Sequence, residues 1–202
     1  QKINGYCEFF RTDFINQTIT DLDSHYSTAI VSNSHGKSYS NNFQVEINTK
    51  LFKKLELLAA YRYTDARSTI NEELTERPLI NKYKAIFSAS FQTNMKKWQF
   101  DFTTQFNGGG RLPSSDFLPN AYKQPNKFSP YTLINAQITK YYRYWNMYIG
   151  VENATNFTQS NPIIAPEDPY GVYFDATRIW GPVSGRMFYA GIRLILGEFS
   201  EE

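Results

Sequence analysis

The 202-residue sequence predicts an all-β protein, an antiparallel transmembrane β-barrel meander with eight strands. Apolar and polar residues alternate over runs of about ten residues, which is typical of strands with two unlike faces. The connections between these runs alternate between long and short, as they do in outer-membrane barrels. Aromatic residues make up 17% of the chain, which suits the girdles that such barrels place at the membrane interfaces.

The first four strands are predicted from alternation that becomes more regular along the chain. The first, residues 6–19, reads YCEFFRTDFINQTI, and the second, residues 38–50, contains FQVEIN. The third, residues 55–64, contains LLAAYRY. The fourth, residues 82–92, reads KYKAIFSASFQ and places its aromatic residues on one face.

The last four strands show the same period of two. The fifth, residues 98–106, reads WQFDFTTQF and is the clearest. The sixth, residues 132–140, reads TLINAQITK, and the seventh, residues 144–152, reads YWNMYIGVE. The eighth, residues 185–196, reads GRMFYAGIRLIL, with one wholly apolar face and a mixed face that carries Arg193.

The lengths of the connections predict which ends of the strands lie together. The short connections are at 51–54, 93–97 and 141–143, and the long ones are at 20–37, 65–81, 107–131 and 153–184. We therefore expect all long loops at the outer end and all short turns at the periplasmic end. An aromatic girdle is predicted at each end. The expected periplasmic girdle is Trp98, Tyr141, Tyr142, Tyr144 and Trp145, and the expected outer girdle is Tyr61, Tyr63 and Phe106.

Composition excludes several other classes of protein. The mean hydropathy of −0.51 leaves no apolar run long enough for a membrane helix. A net charge of +2 with mixed signs argues against a nucleic-acid-binding surface. Cys7 is the only cysteine, so no internal disulfide is possible. The chain begins with Gln1 and has no signal peptide, so we expect it to be a fragment of a longer protein.

Charged and polar residues on the mixed faces are predicted to point into the lumen, because a charge at mid-depth on the lipid face costs about 2–4 kcal/mol. The residues predicted to face the lumen are Glu46, Arg62, Lys84, Asp101, Gln105, Glu152 and Arg193.

No enzyme chemistry is predicted. Two loop histidines, His25 and His35, match no metal-site spacing, and with Cys7 they form no catalytic Ser-His-Asp or Cys-His pattern. The run GGGR at 108–111 is not followed by a helix and is interpreted as a flexible exit from a strand. We therefore predict no catalytic residue, no metal site and no cofactor.

The long loops are the predicted place of recognition, because loops carry binding groups on a rigid scaffold. They are rich in Tyr, Phe, Asn, Asp and Pro, a mixture suited to a ligand vestibule. It suits packing between neighbouring loops as well. The candidate ligand-binding residues are Arg111, Tyr122, Asp168, Tyr170, Asp175 and Trp180.

Nearly the whole chain resembles the C-terminal barrel part of TonB-dependent outer-membrane receptors of the kind found in Bacteroidetes. The segments that carry the resemblance are EFFRTDFINQTITDLD (8–23), AAYRYTDARST (59–69), WQFDFTTQFNGGGRLP (98–113), YIGVENATNF (148–157) and DPYGVYFDATRIWGPVSGRMFYAGIRLIL (168–196). The resemblance implies that residues 1–202 are the last eight strands of a 22-stranded barrel whose plug domain and earlier strands precede them.

The same resemblance implies import of a scarce nutrient across the bacterial outer membrane, such as a chelated metal or siderophore, a cobalamin or a glycan. The partners it implies are outer-membrane lipid, the receptor's own plug domain, the TonB complex through a part outside this sequence, the barrel-assembly machinery and a surface lipoprotein; nucleic acid is not among them. Gly191, Leu194 and Leu196 resemble the assembly signal of barrels, although Phe199 is followed by three further residues instead of ending the chain.

Two other interpretations stay open at this point. A stand-alone barrel of eight strands, acting as a structural anchor or adhesin, fits the strand number. A soluble lipocalin-like binder requires the aromatic faces to turn inward.

Overall fold

Eight long strands form one antiparallel sheet in a computed structural model that describes residues 2–25 and 28–195. The strands are β1 (Lys2–Phe14), β2 (Ser38–Leu51), β3 (Leu55–Ile70), β4 (Tyr83–Gln92), β5 (Trp98–Asn107), β6 (Tyr131–Tyr141), β7 (Trp145–Glu152) and β8 (Met187–Leu194). Each strand pairs with the next one in the chain, so the sheet is an up-and-down meander with β1 and β8 at its edges. The predicted eight-stranded antiparallel order is confirmed.

The connections divide the sheet into two ends, a turn end with short connections and a loop end with long ones. Short strands occur only at the loop end of the described chain. Two hairpins form there, Thr18–Asp21 with Ile30–Asn33 and Gly110–Arg111 with Lys127–Phe128, while Glu73–Glu76 extends the sheet beside β3. The described residues include two 3₁₀ turns, Asn94–Lys96 and Asn120–Tyr122. No helix among the described residues is long and apolar enough to cross a membrane.

Three strands, β1, β3 and β8, have ends that differ from the sequence prediction by more than one residue. β1 stops at Phe14 instead of continuing to Ile19, because Asn16 adopts a positive φ of 52° and redirects the chain into a separate hairpin. β3 continues to Ile70, past the predicted end at Thr64. Beyond Tyr63 the aromatic face continues with Asp65 and Arg67, so the apolar–polar alternation disappears although backbone pairing continues. β8 ends at Leu194, and Leu196 lies outside the described residues.

The strand register sorts the side chains onto an aromatic face and a polar face. One row across the aromatic face runs Phe91, Phe100, Ile138, Ile149 and Ala190 on five consecutive strands. Many large apolar side chains on this face are exposed, for example Phe9 at 67% and Phe188 at 74%. An apolar surface of this extent requires an apolar environment such as lipid.

Aromatic residues cluster at both ends of the aromatic face. At the turn end, Tyr142 stacks on Trp145 with 4.1 Å between the ring centroids, and the Lys140 ammonium lies 4.1 Å from the Trp98 ring. Phe106 lies eight positions beyond Trp98 on β5. At about 3.3 Å per residue and a tilt of about 40°, this separation spans about 20 Å of depth, close to the apolar band of about 25 Å in outer-membrane barrels.

The opposite girdle contains a residue that the sequence analysis did not include. Tyr61 and Tyr63 lie at the loop end as predicted, and Tyr83 joins them with its ring stacked 6.2 Å from that of Tyr61.

The closely packed apolar core lies in the loops and not in the sheet. The buried apolar residues of the described chain are Ile19, Leu112, Leu118, Phe128, Ile164 and Ala165. All six belong to the long connections, so the loops form a packed cap at one end of the sheet.

Candidate ligand-binding region

The loop cap is built from four segments, which we name loop A (15–25 and 28–37), loop B (71–82), loop C (108–130) and loop D (153–186). Each follows an outgoing strand and precedes a returning one, so the meander brings all four to the same end of the sheet. Side-chain contacts then join the loops to one another.

Arg111 of loop C joins three loops. Its guanidinium donates two hydrogen bonds to the carboxylate of Asp23 in loop A, at 2.9 and 2.8 Å, and one to the carbonyl of Glu76 in loop B, at 2.6 Å. The amide of Ser114 donates to the same Asp23 carboxylate at 2.8 Å. Burial raises the pKa of Asp23, but the bonds from Arg111 and Ser114 outweigh that effect and lower it below its usual value.

Arg178 of loop D is the most deeply buried charged residue of the described chain, with 2% of its surface exposed. It donates to the carboxylate of Asp175 at 2.9 Å and to the carbonyls of Pro113 and Ser114 in loop C at 2.9 and 3.0 Å. Burial raises the pKa of Asp175, but hydrogen bonds from Thr177 and Arg178 outweigh it, so the pKa is lowered.

Trp180 lies in an aromatic cluster at the base of loop D. Its ring stacks on Phe128 at 4.8 Å and lies 5.7 Å from Tyr131, which in turn stacks on Phe157 at 4.7 Å. The amide of Trp180 donates to the side-chain oxygen of buried Gln159 at 2.8 Å. The cluster anchors loop D to loop C and to the start of β6.

Tyr122 belongs to a second contact between loops C and D. Its hydroxyl donates to Glu167 at 2.7 Å and its ring lies 5.7 Å from Tyr173, above a small core of Leu118 and Ile164. The hydrogen bond with Glu167, aided by burial, raises the pKa of the Tyr122 hydroxyl.

The six predicted ligand-binding residues therefore occupy unlike positions. Arg111, Tyr122, Asp175 and Trp180 are engaged in contacts between or within loops. Asp168 and Tyr170 lie in the exposed turn of loop D, and Tyr170 is fully exposed. A ligand that bound Arg111, Tyr122, Asp175 or Trp180 would compete with the loop contacts that these residues already form. At the exposed Tyr170 a ligand meets no such competition.

The glycine run at 108–110 is closely packed, which differs from the expected flexible exit. A β-carbon at Gly110 would collide with the carbonyl oxygen of Ile80, and one at Gly109 with the carbonyl oxygen of Phe128. Gly108 lies against the ring of Tyr83. Gly110 thus allows the backbones of loops B and C to approach each other, and Gly109 allows a close backbone approach within loop C.

The two loop histidines lie in different surroundings. His25 borders a cavity of about 360 Å³ between loops A, C and D, together with Pro113 and Phe174. His35 is exposed on the outside of loop A, in a groove shared with Arg11. No group of three or more His, Cys, Asp or Glu side chains in residues 2–25 and 28–195 is placed to hold a metal ion.

The residues predicted to face the lumen all lie on the polar face, opposite the aromatic one. They are Glu46, Arg62, Lys84, Asp101, Gln105, Glu152 and Arg193. Some of these side chains already form hydrogen bonds within the sheet. Asp101 accepts hydrogen bonds from Ser90 and Gln99, and Glu46 accepts one from Tyr6.

Sequence reasoning missed several residues that organise this region. Asp23 and Arg178 complete the two ion pairs, Gln159 orients the end of loop D, and Asn107 is buried at the rim of the polar face. The partner of Asp23 lies in another loop, whereas Arg178 binds Asp175 of its own loop and two carbonyls of loop C. No periodic pattern in the sequence marks such contacts.

Comparison with known proteins identifies the class to which this sheet and its loops belong. Residues 7–154 match the family model described as TonB-dependent receptor-like β-barrel. The chain belongs to the TonB-dependent receptor β-barrel family, and the resemblance seen in the sequence is confirmed at that level. A search of curated proteins found no match.

Solved structures with the same fold are receptors several times longer. The ferric-catecholate import receptor Fiu of E. coli K12 is 13% identical with a TM-score of 0.65, over 94% of this chain and 24% of that one. The copper transporter OprC is 11% identical with a TM-score of 0.67, over 95% and 28%. Pseudomonas aeruginosa FpvA, solved with ferric pyoverdine, is 14% identical with a TM-score of 0.65, over 95% and 24%. The chain spans about a quarter of the length of each.

Proposed function

We propose that the chain forms the last eight wall strands and four extracellular loops of a TonB-dependent transporter in the bacterial outer membrane. One observation carries the proposal. This chain belongs to the receptor family, and its sheet presents a continuous exposed aromatic face with every long loop at one end. In such barrels the aromatic face meets lipid, the polar face meets the lumen, and long loops reach outside.

The imported substrate is proposed to be a scarce nutrient, with a chelated metal first and a cobalamin or a glycan as the other candidates. Support for a chelated metal comes from the structural neighbours, which are a ferric-catecholate import receptor, a copper transporter and a receptor bound to ferric pyoverdine. The exposed turn around Asp168 and Tyr170 offers a carboxylate and a phenol for first contact with such a ligand.

The partners of the transporter follow from the same proposal. A plug domain of the same receptor occupies the lumen, and the TonB complex releases it through a part of the receptor outside these residues. The barrel-assembly machinery inserts the strands, with Gly191 and Leu194 of β8 in its recognition signal. A surface lipoprotein that covers the loop cap is a further proposed partner.

The stand-alone eight-stranded barrel is the alternative function, as an anchor or adhesin. It requires β1 to pair with β8, whereas in the described residues the sheet is open between them. Both edge strands therefore offer backbone groups to further strands, which favours the larger barrel.

Uptake by living cells tests the transporter directly. A strain lacking the full-length receptor is grown with ferric siderophores, cobalamin or a glycan as the limiting source, beside a strain lacking TonB. We expect both strains to lose growth on the same nutrient, and the receptor gene to restore it only where TonB is present. Normal growth of the receptor-deleted strain on every nutrient of the panel would contradict the proposal.

A further inference from the structure

Two cations stand directly opposite each other on the polar face. The register pairs Arg62 of β3 with Lys84 of β4, and the side chain of neither forms an ion pair or a hydrogen bond with any residue that the structure describes. Like charges directly opposite on neighbouring strands destabilise a sheet. An anion between them removes this repulsion.

The next residue in the same row adds an unused donor. Asn107 of β5 is opposite Lys84, is 5% exposed, and its side-chain Nδ2 has no hydrogen-bond partner among the described residues. A buried donor without a partner costs about 1–3 kcal/mol. An acceptor is therefore the group that this position lacks.

These three side chains line one cavity of about 310 Å³, together with Gln44 and Gln105. No acidic residue lines it. In the same row, Glu8 is opposite Gln44 and so lies two strands from Arg62. The cavity thus presents an ammonium, a guanidinium and amide groups, a donor set that favours an oxyanion.

The level of the cavity in the sheet indicates from which side the anion arrives. The row of Arg62 and Lys84 lies beside the girdle residues Tyr61 and Tyr83, at the loop end. Nearer the turn end, the acidic Asp101 is already paired within the sheet, with Ser90 and Gln99. The unpaired cations are therefore at the mouth, where a nutrient enters.

We propose that Arg62, Lys84 and Asn107 bind an oxyanion group, such as a carboxylate, of the imported nutrient at the rim of the lumen. The inference rests on the proposed transport function and adds to it the charge of the substrate and the residues that recognise it. An acidic side chain of the plug domain is the competing occupant.

The full-length receptor, purified in detergent, is titrated calorimetrically with citrate and with inorganic phosphate. We expect citrate to bind and added NaCl to weaken it, because screening acts on exposed charges. Arg62→Gln and Lys84→Gln are each expected to raise the Kd about tenfold, the usual effect of losing a charged hydrogen bond. Lys84→Arg keeps the charge and is expected to retain binding. Lys123→Gln removes an exposed cation of loop C and serves as the matched control.

Failure of both anions to bind the unmodified receptor would overturn the proposal, and so would equal binding by the Arg62→Gln/Lys84→Gln variant. A lower melting temperature of that double variant, with no anion binding by the unmodified receptor, would instead assign the cations to the plug domain. The growth panel separates the two levels of inference. Normal growth of the receptor-deleted strain on every nutrient contradicts transport. TonB-dependent growth that survives the double substitution contradicts only the anion site.

Discussion

Arg111 binds Asp23 through two parallel hydrogen bonds of 2.9 and 2.8 Å, although 88 positions separate the two residues in the chain. The paired geometry is the strong form of a guanidinium–carboxylate contact. Both side chains are about four-fifths buried, since 20% of the Arg111 side chain and 18% of that of Asp23 are exposed. The contact therefore fixes loop A against loop C, and its removal is expected to loosen the cap without unfolding the sheet.

Arg111→Ala is predicted to separate loops A and C. In this variant the largely buried Asp23 carboxylate has lost its guanidinium partner. The unpaired charge lowers the stability of the cap by about 1–3 kcal/mol. Spin labels at the exposed positions Val31 and Lys123, in a Cys7→Ser background, report the distance between the two loops. We expect a narrow distance distribution in the parent protein and a broad one in Arg111→Ala. A narrow distribution in both proteins would show that other contacts hold the loops.

Acid is predicted to loosen the same pair of loops. The pKa of Asp23 is lowered in the folded cap, so its ionised form stabilises the cap above the ordinary carboxyl value of about 4. That stabilisation is lost as the pH falls through the lowered pKa. The spin-label distance should stay constant from about pH 8 to pH 5 and broaden below about pH 4. Asp23→Asn should be broad at every pH, and a transition near neutral pH would contradict this cause.

Arg178→Met is predicted to destabilise loop D more strongly. The substitution leaves the buried Asp175 carboxylate and two loop C carbonyls without the guanidinium, and breaking a buried ion pair costs about 3–5 kcal/mol. Amide hydrogen exchange at Trp180 and Gly181 should become at least about a hundredfold faster, if local opening absorbs most of that cost. Arg186→Ala, at an exposed position of the same loop, is the control and should leave exchange unchanged.

Depth in the membrane is predicted to govern substitutions on the aromatic face. Phe102 lies midway between the girdle residues Trp98 and Phe106 on β5. Phe102→Arg should lower the free energy of unfolding in lipid by about 2–4 kcal/mol, and Phe106→Arg by at most about 1 kcal/mol. Urea unfolding of the receptor in vesicles measures both. Equal effects at the two depths would contradict the assignment of this face to lipid.

The strands were predictable from the sequence because each satisfies a local rule. In a strand such as β5, apolar residues such as Phe100 alternate with polar residues such as Asp101. This alternation is visible in the sequence without knowledge of the neighbouring strand. The continuation of β3 to Ile70 was not predictable in this way, because beyond Tyr63 the aromatic face continues with Asp65 and Arg67 and the alternation ends.

The cap and the anion site depend on contacts that are not local. Arg111 could be recognised as a candidate, but its partner Asp23 lies in another loop. Arg62 and Lys84 were both predicted to face the lumen, yet only the register of β3 against β4 places them opposite each other. A register is set by the whole hairpin and its turn, and neither residue indicates it alone.

The mass of the native polypeptide tests most directly whether these strands belong to a larger receptor. An antibody against residues 108–130 is used to probe outer-membrane extracts. The chain spans 24% to 28% of the solved receptors it matches, so the band is predicted at roughly four times the 23.5 kDa of these 202 residues. A band near 23.5 kDa in the outer membrane would contradict the transporter and support a small barrel, and the same band in the soluble fraction would contradict both.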